Sequence, residues 1–325
     1  MKRSLVRLLA GWFCLAVFAG AAAAGEPKGP SSPKSPAASD SKSAAKHTLR
    51  YRFQPGETVR WKVSQEAQVE TTVSGTTQIA EANTLSVSAW QLKKVEPDGT
   101  STFEYLLESV DMRQKVSGRM EMRYNSQADK KAPAVFEAVA KTIGVPLTRV
   151  TLDAKGKVLK LEPLVGRPGG DSQSQVVIPL PDNPVAVGQS WSSPSDVEVS
   201  LQGTVTKIKT LETYTLQDVQ DGVATIRAAT QIVTPMHDPV LEAQVVQRES
   251  TGTIRFDLKA GRILSRKVEV DKRVVGFAGH GASVLGYRMQ LTAELLAKTG
   301  DVPGKEEPPS SRTQSAERPA AAKVK

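Results

Sequence analysis

The run Val59-Arg60-Trp61-Lys62-Val63-Ser64-Gln65-Glu66-Ala67-Gln68-Val69-Glu70-Thr71-Thr72-Val73 alternates apolar and polar residues almost without error. Val59, Trp61, Val63, Ala67, Val69 and Val73 fall on one side, and Arg60, Lys62, Ser64, Glu66, Gln68 and Glu70 on the other. A period of two sustained over that length specifies a half-buried strand, spanning roughly 50 Å at about 3.3 Å per residue. A sheet of such strands must twist and coil to cover a core. One apolar face and one wet face mark antiparallel pairing, because parallel strands read as continuous apolar runs.

Outward from this stretch the same grammar recurs. Phe103, Tyr105 and Leu107 share a face against Glu104 and Glu108, after which Val110 and Met112 fall on the even positions. A bulge near Ser109 accounts for the slip. Ala224, Ile226, Ala228 and Ile232 alternate with Thr225, Arg227 and Gln231; Leu264, Val268, Val270 and Val274 alternate with Ser265, Lys267, Glu269, Asp271 and Arg273. Tyr287, Met289, Leu291, Ala293 and Leu295 alternate with Arg288, Gln290, Thr292 and Glu294. Turn residues separate the runs: Pro55-Gly56, Ser74-Gly75, Pro97-Asp98-Gly99, Ser117-Gly118, Lys155-Gly156, Asp221-Gly222 and Ala260-Gly261. Each supplies the positive or fixed φ that hairpins use. The expected fold is therefore mainly β: large curved antiparallel sheets with long strands and one short covering helix. That helix is placed at Pro133 to Gly144, where Val135, Phe136, Val139, Ala140 and Ile143 form an i, i+3, i+4 stripe between an N-terminal Pro and a C-terminal Gly. It is expected to lie across the concave face. Pro239 to Arg248 reads equally as helix or strand.

Two stretches echo each other. Pro55-Gly56-Glu57 with Trp61 opens one, and Val187-Gly188-Gln189 with Trp191 opens the other; Asp153 to Gly156 and Asp257 to Gly261 close them. Duplication and reuse of meander turns both account for this. The halves would be 48–164 and 176–298, joined at Gly166 to Gln175, which contains Pro168-Gly169-Gly170.

The ends read differently from the body. Lys2, Arg3 and Arg7, the apolar Leu8 to Gly20 and the small Ala21 to Ala24 have the layout of a secretory signal peptide over residues 1–24. The alternative is an uncleaved anchor, for which the apolar run is short against the ~20 residues of a membrane span. Cys14, the only cysteine, lies inside that run behind Trp12 and Phe13 and not behind the small residues a lipid attachment site needs. The expected product is exported to the periplasm or beyond, is not a lipoprotein, and carries no thiol for disulfides, metal or catalysis. Residues 25–47 and 299–325, rich in Pro, Ser, Ala and Lys, are expected to be disordered. The chain's net charge of +9 divides into +3 for residues 1–24, +2 for 25–47, +3 for 48–298 and +1 for 299–325. A body at +3 excludes a nucleic-acid footprint.

Catalytic chemistry is sparse. The three histidines, His47, His237 and His280, lack the i, i+2 or i, i+4 spacing of zinc ligands. Ser283, His280 and Asp238 supply the residue types of a hydrolase, but Leu285 occupies the place of the second Gly of a nucleophile elbow. Ser31 to Lys34 and Ser39 to Lys42 match Ser-x-x-Lys spacing only within the linker, and Gly276 to Gly286 reads as a hairpin loop. No catalytic residue, metal ligand or cofactor site is assigned. Trp61, Trp90 and Trp191 read first as core anchors. With Phe136 they are the candidates for lining an apolar ligand trough.

Leu49-Arg50-Tyr51-Arg52-Phe53 before Pro55-Gly56-Glu57, Leu180-Pro181-Asp182-Asn183-Pro184-Val185 before Val187-Gly188-Gln189-Ser190-Trp191, and the closing Phe256-Asp257 and Gly261-Arg262 resemble an uncharacterised family of exported bacterial proteins. That family carries no assigned activity, so the resemblance implies no catalytic residue. In architecture alone the chain is similar to periplasmic lipoprotein carriers, whose curved sheet and helical lid shield acyl chains. The expectation is an exported, non-enzymatic cell-envelope protein with a binding or scaffold role. The alternatives are a carrier of a hydrophobic ligand and a hydrolase using His237 or His280. The partner is an envelope component or a hydrophobic ligand, with no nucleic acid and no stable membrane span after cleavage.

Overall fold

The computed structural model describes residues 45–165, 177–201, 204–279 and 282–297. The expectations for residues 1–24, most of the linker, the joint at 166–175, His280 and the tail lie outside them.

The strands are β1 (Lys46–His47), β2 (Thr58–Val73), β3 (Thr76–Val95), β4 (Ser101–Val116), β5 (Met122–Asn125), β6 (Pro146–Leu152), β7 (Val158–Pro163), β8 (Val185–Ala186), β9 (Ser190–Leu201), β10 (Thr204–Gln220), β11 (Val223–Ile232), β12 (Thr251–Asp257), β13 (Arg262–Val275) and β14 (Ser283–Leu295). Among the described residues two helices interrupt them, α1 (Glu137–Ala140) and α2 (Pro239–Val245), the latter continued by a tighter turn over Val246–Arg248. All strands but β1 and β8, which pair with each other, form one sheet in the order β7-β6-β4-β3-β2-β14-β13-β12-β11-β10-β9, with β5 beside β4. Every strand pair in it is antiparallel.

The alternation that decides the fold runs through β2: Val59, Trp61, Val63 and Val69 are buried while Lys62, Ser64 and Glu70 are exposed. The phase slip has its expected cause. Val87 pairs with Ser109 and Ser88 with Leu107, so Glu108 is the extra residue of a bulge. The seven turn glycines foreseen from sequence, Gly56, Gly75, Gly99, Gly118, Gly156, Gly222 and Gly261, all have positive φ.

The structure differs in two places and resolves one reading left open. The stripe at Pro133 to Gly144 yields only the single turn of α1. Ile143 bridges to Leu107, and Gly144 N–H donates to the Leu107 carbonyl at 2.7 Å, so this end is taken up by β4. The α1 turn thus fills the gap on the edge of β4 between β5, which pairs at 111–114, and β6, which pairs at 101–106. Pro239 to Arg248 is helical throughout: the Asp238 carboxylate accepts from Val240 N–H, and Pro239 sits in the first turn. Finally, β1 lies within the stretch expected to lack structure; backbone pairing to Val185 and Ala186 holds it, and that leaves no trace in hydropathy.

The strands before and after the joint follow one plan. The order β7-β6-β4-β3-β2 is matched by β13-β12-β11-β10-β9, and β14 stitches the two sets together by pairing with β2. Two register irregularities of each set fall at equivalent places, Leu92/Lys94 with Leu216/Asp218 and Thr151/Leu152 with Arg255/Phe256, while those at Val87/Ser88 and Tyr105/Leu106 have no counterpart in the second set. Leu92 N–H bonds the Glu57 carbonyl at 2.9 Å, and Leu216 N–H bonds the Gln189 carbonyl at 3.0 Å. One apolar cluster draws on both sets. A smaller one, Val197, Val199, Ile208 and Val245, seats α2 on β9 and β10.

Candidate functional site

Two pieces of the chain outside the strands tie the two strand sets together. They are the lead-in to β2, Leu49–Phe53, and the lead-in to β9, residues 177–181. Leu49 and Ile178 are fully buried. Tyr51 joins the pieces: its hydroxyl accepts from Ile178 N–H at 2.7 Å and donates to the Ile178 carbonyl at 3.0 Å. Burial pushes the Tyr51 phenol well above its ordinary pKa, so it stays protonated.

Each lead-in is held by the closing turn of the other set. Arg52 N–H donates to the Gly261 carbonyl at 3.0 Å, and Leu180 N–H to the Lys155 carbonyl at 2.8 Å. The aspartates of the echo build these turns: Asp153 Oδ1 accepts from Lys155 and Lys157 N–H, and Asp257 Oδ1 from Lys259 and Ala260 N–H. Aromatic rings continue the join. Tyr105, Trp90, Phe103, Phe53, Tyr51 and Phe256 touch in series with centroids 4.8–5.9 Å apart, from β3 and β4 through the lead-in to β12. Beside them the Arg262 guanidinium pairs with the Glu57 carboxylate at 3.3 Å, both largely buried.

The four trough candidates sit as follows. Trp61 and Trp90 are fully buried on one face of β2 and β3, where Trp61 pairs with Ser88 and Val59 with Trp90. Their indole N–H groups and the Ser88 hydroxyl have no hydrogen-bond partner among the described residues. Phe136 stacks on Tyr124 at 6.2 Å beside β5. Trp191 stacks on Tyr214 at 5.6 Å and donates its indole N–H to the Pro179 carbonyl at 2.8 Å. Trp61 and Trp90 therefore share a wall; Phe136 and Trp191 belong to two other places.

Sequence reading passed over one polar hollow. On the inner face of β10 to β13, Glu212, Tyr214, Thr230, Ser250 and Arg266 surround Gly252. Gly252 allows β12 to lie close against β13: a Cβ there would lie 2.1 Å from the Lys267 carbonyl oxygen. Tyr214 donates to Glu212 at 2.5 Å. Burial, then the Glu212 charge, raises its pKa, against the opposing Arg266 cation. Arg266 makes no hydrogen bond or ion pair among the described residues, and its Nε is buried. The signal was present, an arginine in phase with Val268 and Val270, but a period-two reading scores it as a polar interruption. The hollow encloses about 10 Å³, room for about one water.

Of the hydrolase residue types, Ser283 and Asp238 are otherwise engaged, and His280 lies outside the described residues. Ser283 Oγ accepts from Ala278 N–H at 3.1 Å, Asp238 caps α2, and His237 is exposed. Among the described residues no three His, Cys, Asp or Glu side chains cluster as metal ligands. No described helix is long and apolar enough to cross a membrane.

Residues 171–263 match a family described as "Family of unknown function (DUF6263)"; the match takes in the Leu180-to-Trp191 and Phe256-to-Arg262 motifs of the resemblance but not Leu49 to Glu57. No curated protein matches. Among solved structures, the chain is similar to one described as "Lipid-protein interactions in lipovitellin", with TM-score 0.43 and 14% identity over 76% of this chain and 26% of that one. It is also similar to one described as "Structure of DynF from the Dynemicin Biosynthesis Pathway of Micromonospora chersina", with TM-score 0.20 and 6% identity over 77% of this chain and 90% of that one. The chain thus spans about a quarter of the lipovitellin chain.

Proposed function

We propose that this protein is exported and acts in the cell envelope without catalysis, as a rigid β-scaffold that binds through its outer surface. One observation carries the reading. The chain's own lead-ins are buried against both strand sets and locked there by Tyr51 and the two aspartate turns. A carrier leaves interior space for its cargo; a scaffold packs its own chain and gains stiffness. Export rests on the layout of residues 1–24, which places the mature N-terminus at Gly25.

Native mass spectrometry on protein purified gently from its own host tests both parts. The expected result is a chain beginning at Gly25 with no adduct. A stoichiometric lipid-sized adduct overturns the scaffold reading, and an intact Met1 terminus overturns cleavage. One observation favours the carrier alternative: the indole N–H groups of Trp61 and Trp90 and the Ser88 hydroxyl, on neighbouring positions of β2 and β3, have no partner among the described residues. An internal water or the polar end of a ligand would meet them. The same spectrum decides between the two.

A further inference from the structure

We infer that the β4–β5 hairpin docks the protein on an anionic lipid bilayer. This rests on the surface-binding reading above and names the partner. Residues 113–123 carry Arg113, Lys115, Arg119 and Arg123 against Glu121 alone, a net +3. Asp111, which accepts from the Asn125 side chain at the base of the ladder, brings the paired span 111–125 to +2, against +3 for the whole of residues 48–298.

The geometry concentrates that charge. Arg113 and Arg123 are directly opposite each other across the β4–β5 ladder, a like-charge pairing that is unfavourable unless an anion lies nearby. Glu121 pairs with Arg123. Arg113, Lys115 and Arg119 are exposed and have no ion pair among the described residues, although Glu81 faces Lys115 across the β3–β4 ladder. At the apex, beyond the left-handed turn at Gly118, Met120 is 91% exposed and Met122 38%. The adjacent β2–β3 apex, Ser74-Gly75 between Val73 and Thr76, brings no acid.

An apolar tip ringed by cations suits one environment in particular. Methionine enters the boundary between headgroups and acyl chains, while the long basic side chains stay at the anionic phosphates. A purely ionic partner, such as an acidic polymer, would use the cations and leave Met120 in water.

The test is co-sedimentation of the protein, expressed from the full chain and purified from the soluble fraction. Vesicles of phosphatidylglycerol with phosphatidylcholine are compared with vesicles of phosphatidylcholine alone. Binding is expected only to the first and is expected to weaken as salt rises. Arg119→Ser should lower the partition coefficient about fivefold, and the Arg113, Lys115 and Arg119 triple serine variant on the order of a hundredfold. Met120→Ser should lower it about tenfold with the salt dependence unchanged. Lys209→Glu, an exposed charge reversal on β10, should perturb it far less. Circular dichroism and thermal midpoints should match the parent in every variant, since all the side chains are exposed. Equal binding to both vesicle types, or equal loss on Lys209→Glu, overturns the inference. So does Arg119-dependent binding to soluble polyglutamate with none to vesicles, which assigns the hairpin to an acidic polymer. A lipid adduct in the mass spectrum leaves this result standing, so the two readings fail separately.

Discussion

Gly156 and Gly56 share a left-handed backbone, with φ of +82° and +75°, but not surroundings. A Cβ on Gly156 would meet the Tyr51 ring at 2.5 Å and the Ile178 carbonyl oxygen at 2.6 Å, whereas a Cβ on Gly56 meets nothing within 4 Å. Gly56→Ala should therefore cost only the left-handed penalty, about 1 kcal/mol. Gly156→Ala must also push back the residue that joins the two lead-ins, and should cost about 2–4 kcal/mol. Urea unfolding of the two variants checks this; equal shifts would mean that the lead-in is not held by close approach. Both glycines are legible in sequence as turn residues. Only the fold separates them, because Tyr51 and Ile178 are more than a hundred residues apart in the chain.

Helix α2 shows the same division among elements. Its start is local: Asp238 accepts from Val240 N–H at 2.8 Å, and Pro239 follows. Asp238→Ala should cost about 1 kcal/mol in thermal unfolding and Asp238→Asn much less, since asparagine also caps. A loss shared by both variants would point to the carboxylate charge instead. The long strands and the bulge at Glu108 were readable because each leaves a periodic mark, and shifting one residue exchanges the faces. The predicted helix at Pro133 to Gly144 is cut to the four residues of α1 because its stripe also serves another arrangement: Phe136 stacks on Tyr124, while Ile143 bridges to β4. Tertiary pairing overrode local periodicity there. The candidate site was half legible. Trp61, Trp90, Phe136 and Trp191 could be singled out by size, but their separation into three places depends on long-range register. Arg266 was hidden because a lone cation on an apolar face carries no periodic signature.

At the scale of the molecule, the seam from β2 to β14 and the exchanged lead-ins make each strand set depend on the other. Fragments ending at residue 165 and beginning at residue 177 should copurify when coexpressed, and neither should unfold cooperatively alone; a sharp transition in a lone fragment would refute this. The shared core also sets the response to alkali. Burial raises the phenol pKa of Tyr51 and Tyr214 and lifts that of Tyr287 to about 12. In the unfolded chain all three ionise near pH 10. Below that pH both states hold the protons and stability is undiminished. Above it the unfolded chain loses protons that the folded one keeps, so stability falls with rising pH. Each tyrosine contributes a slope of about 1.4 kcal/mol per pH unit, and the three together about 4. Set against a total stability of about 5–15 kcal/mol, this predicts unfolding within a few pH units above 10. Tyr287→Phe tests the sign and the size, because only burial shifts that phenol. Urea midpoints should be nearly unchanged at pH 7, and the fall from pH 10 to about 12 should be shallower by about a third. An identical alkaline slope in parent and variant would place the proton release elsewhere.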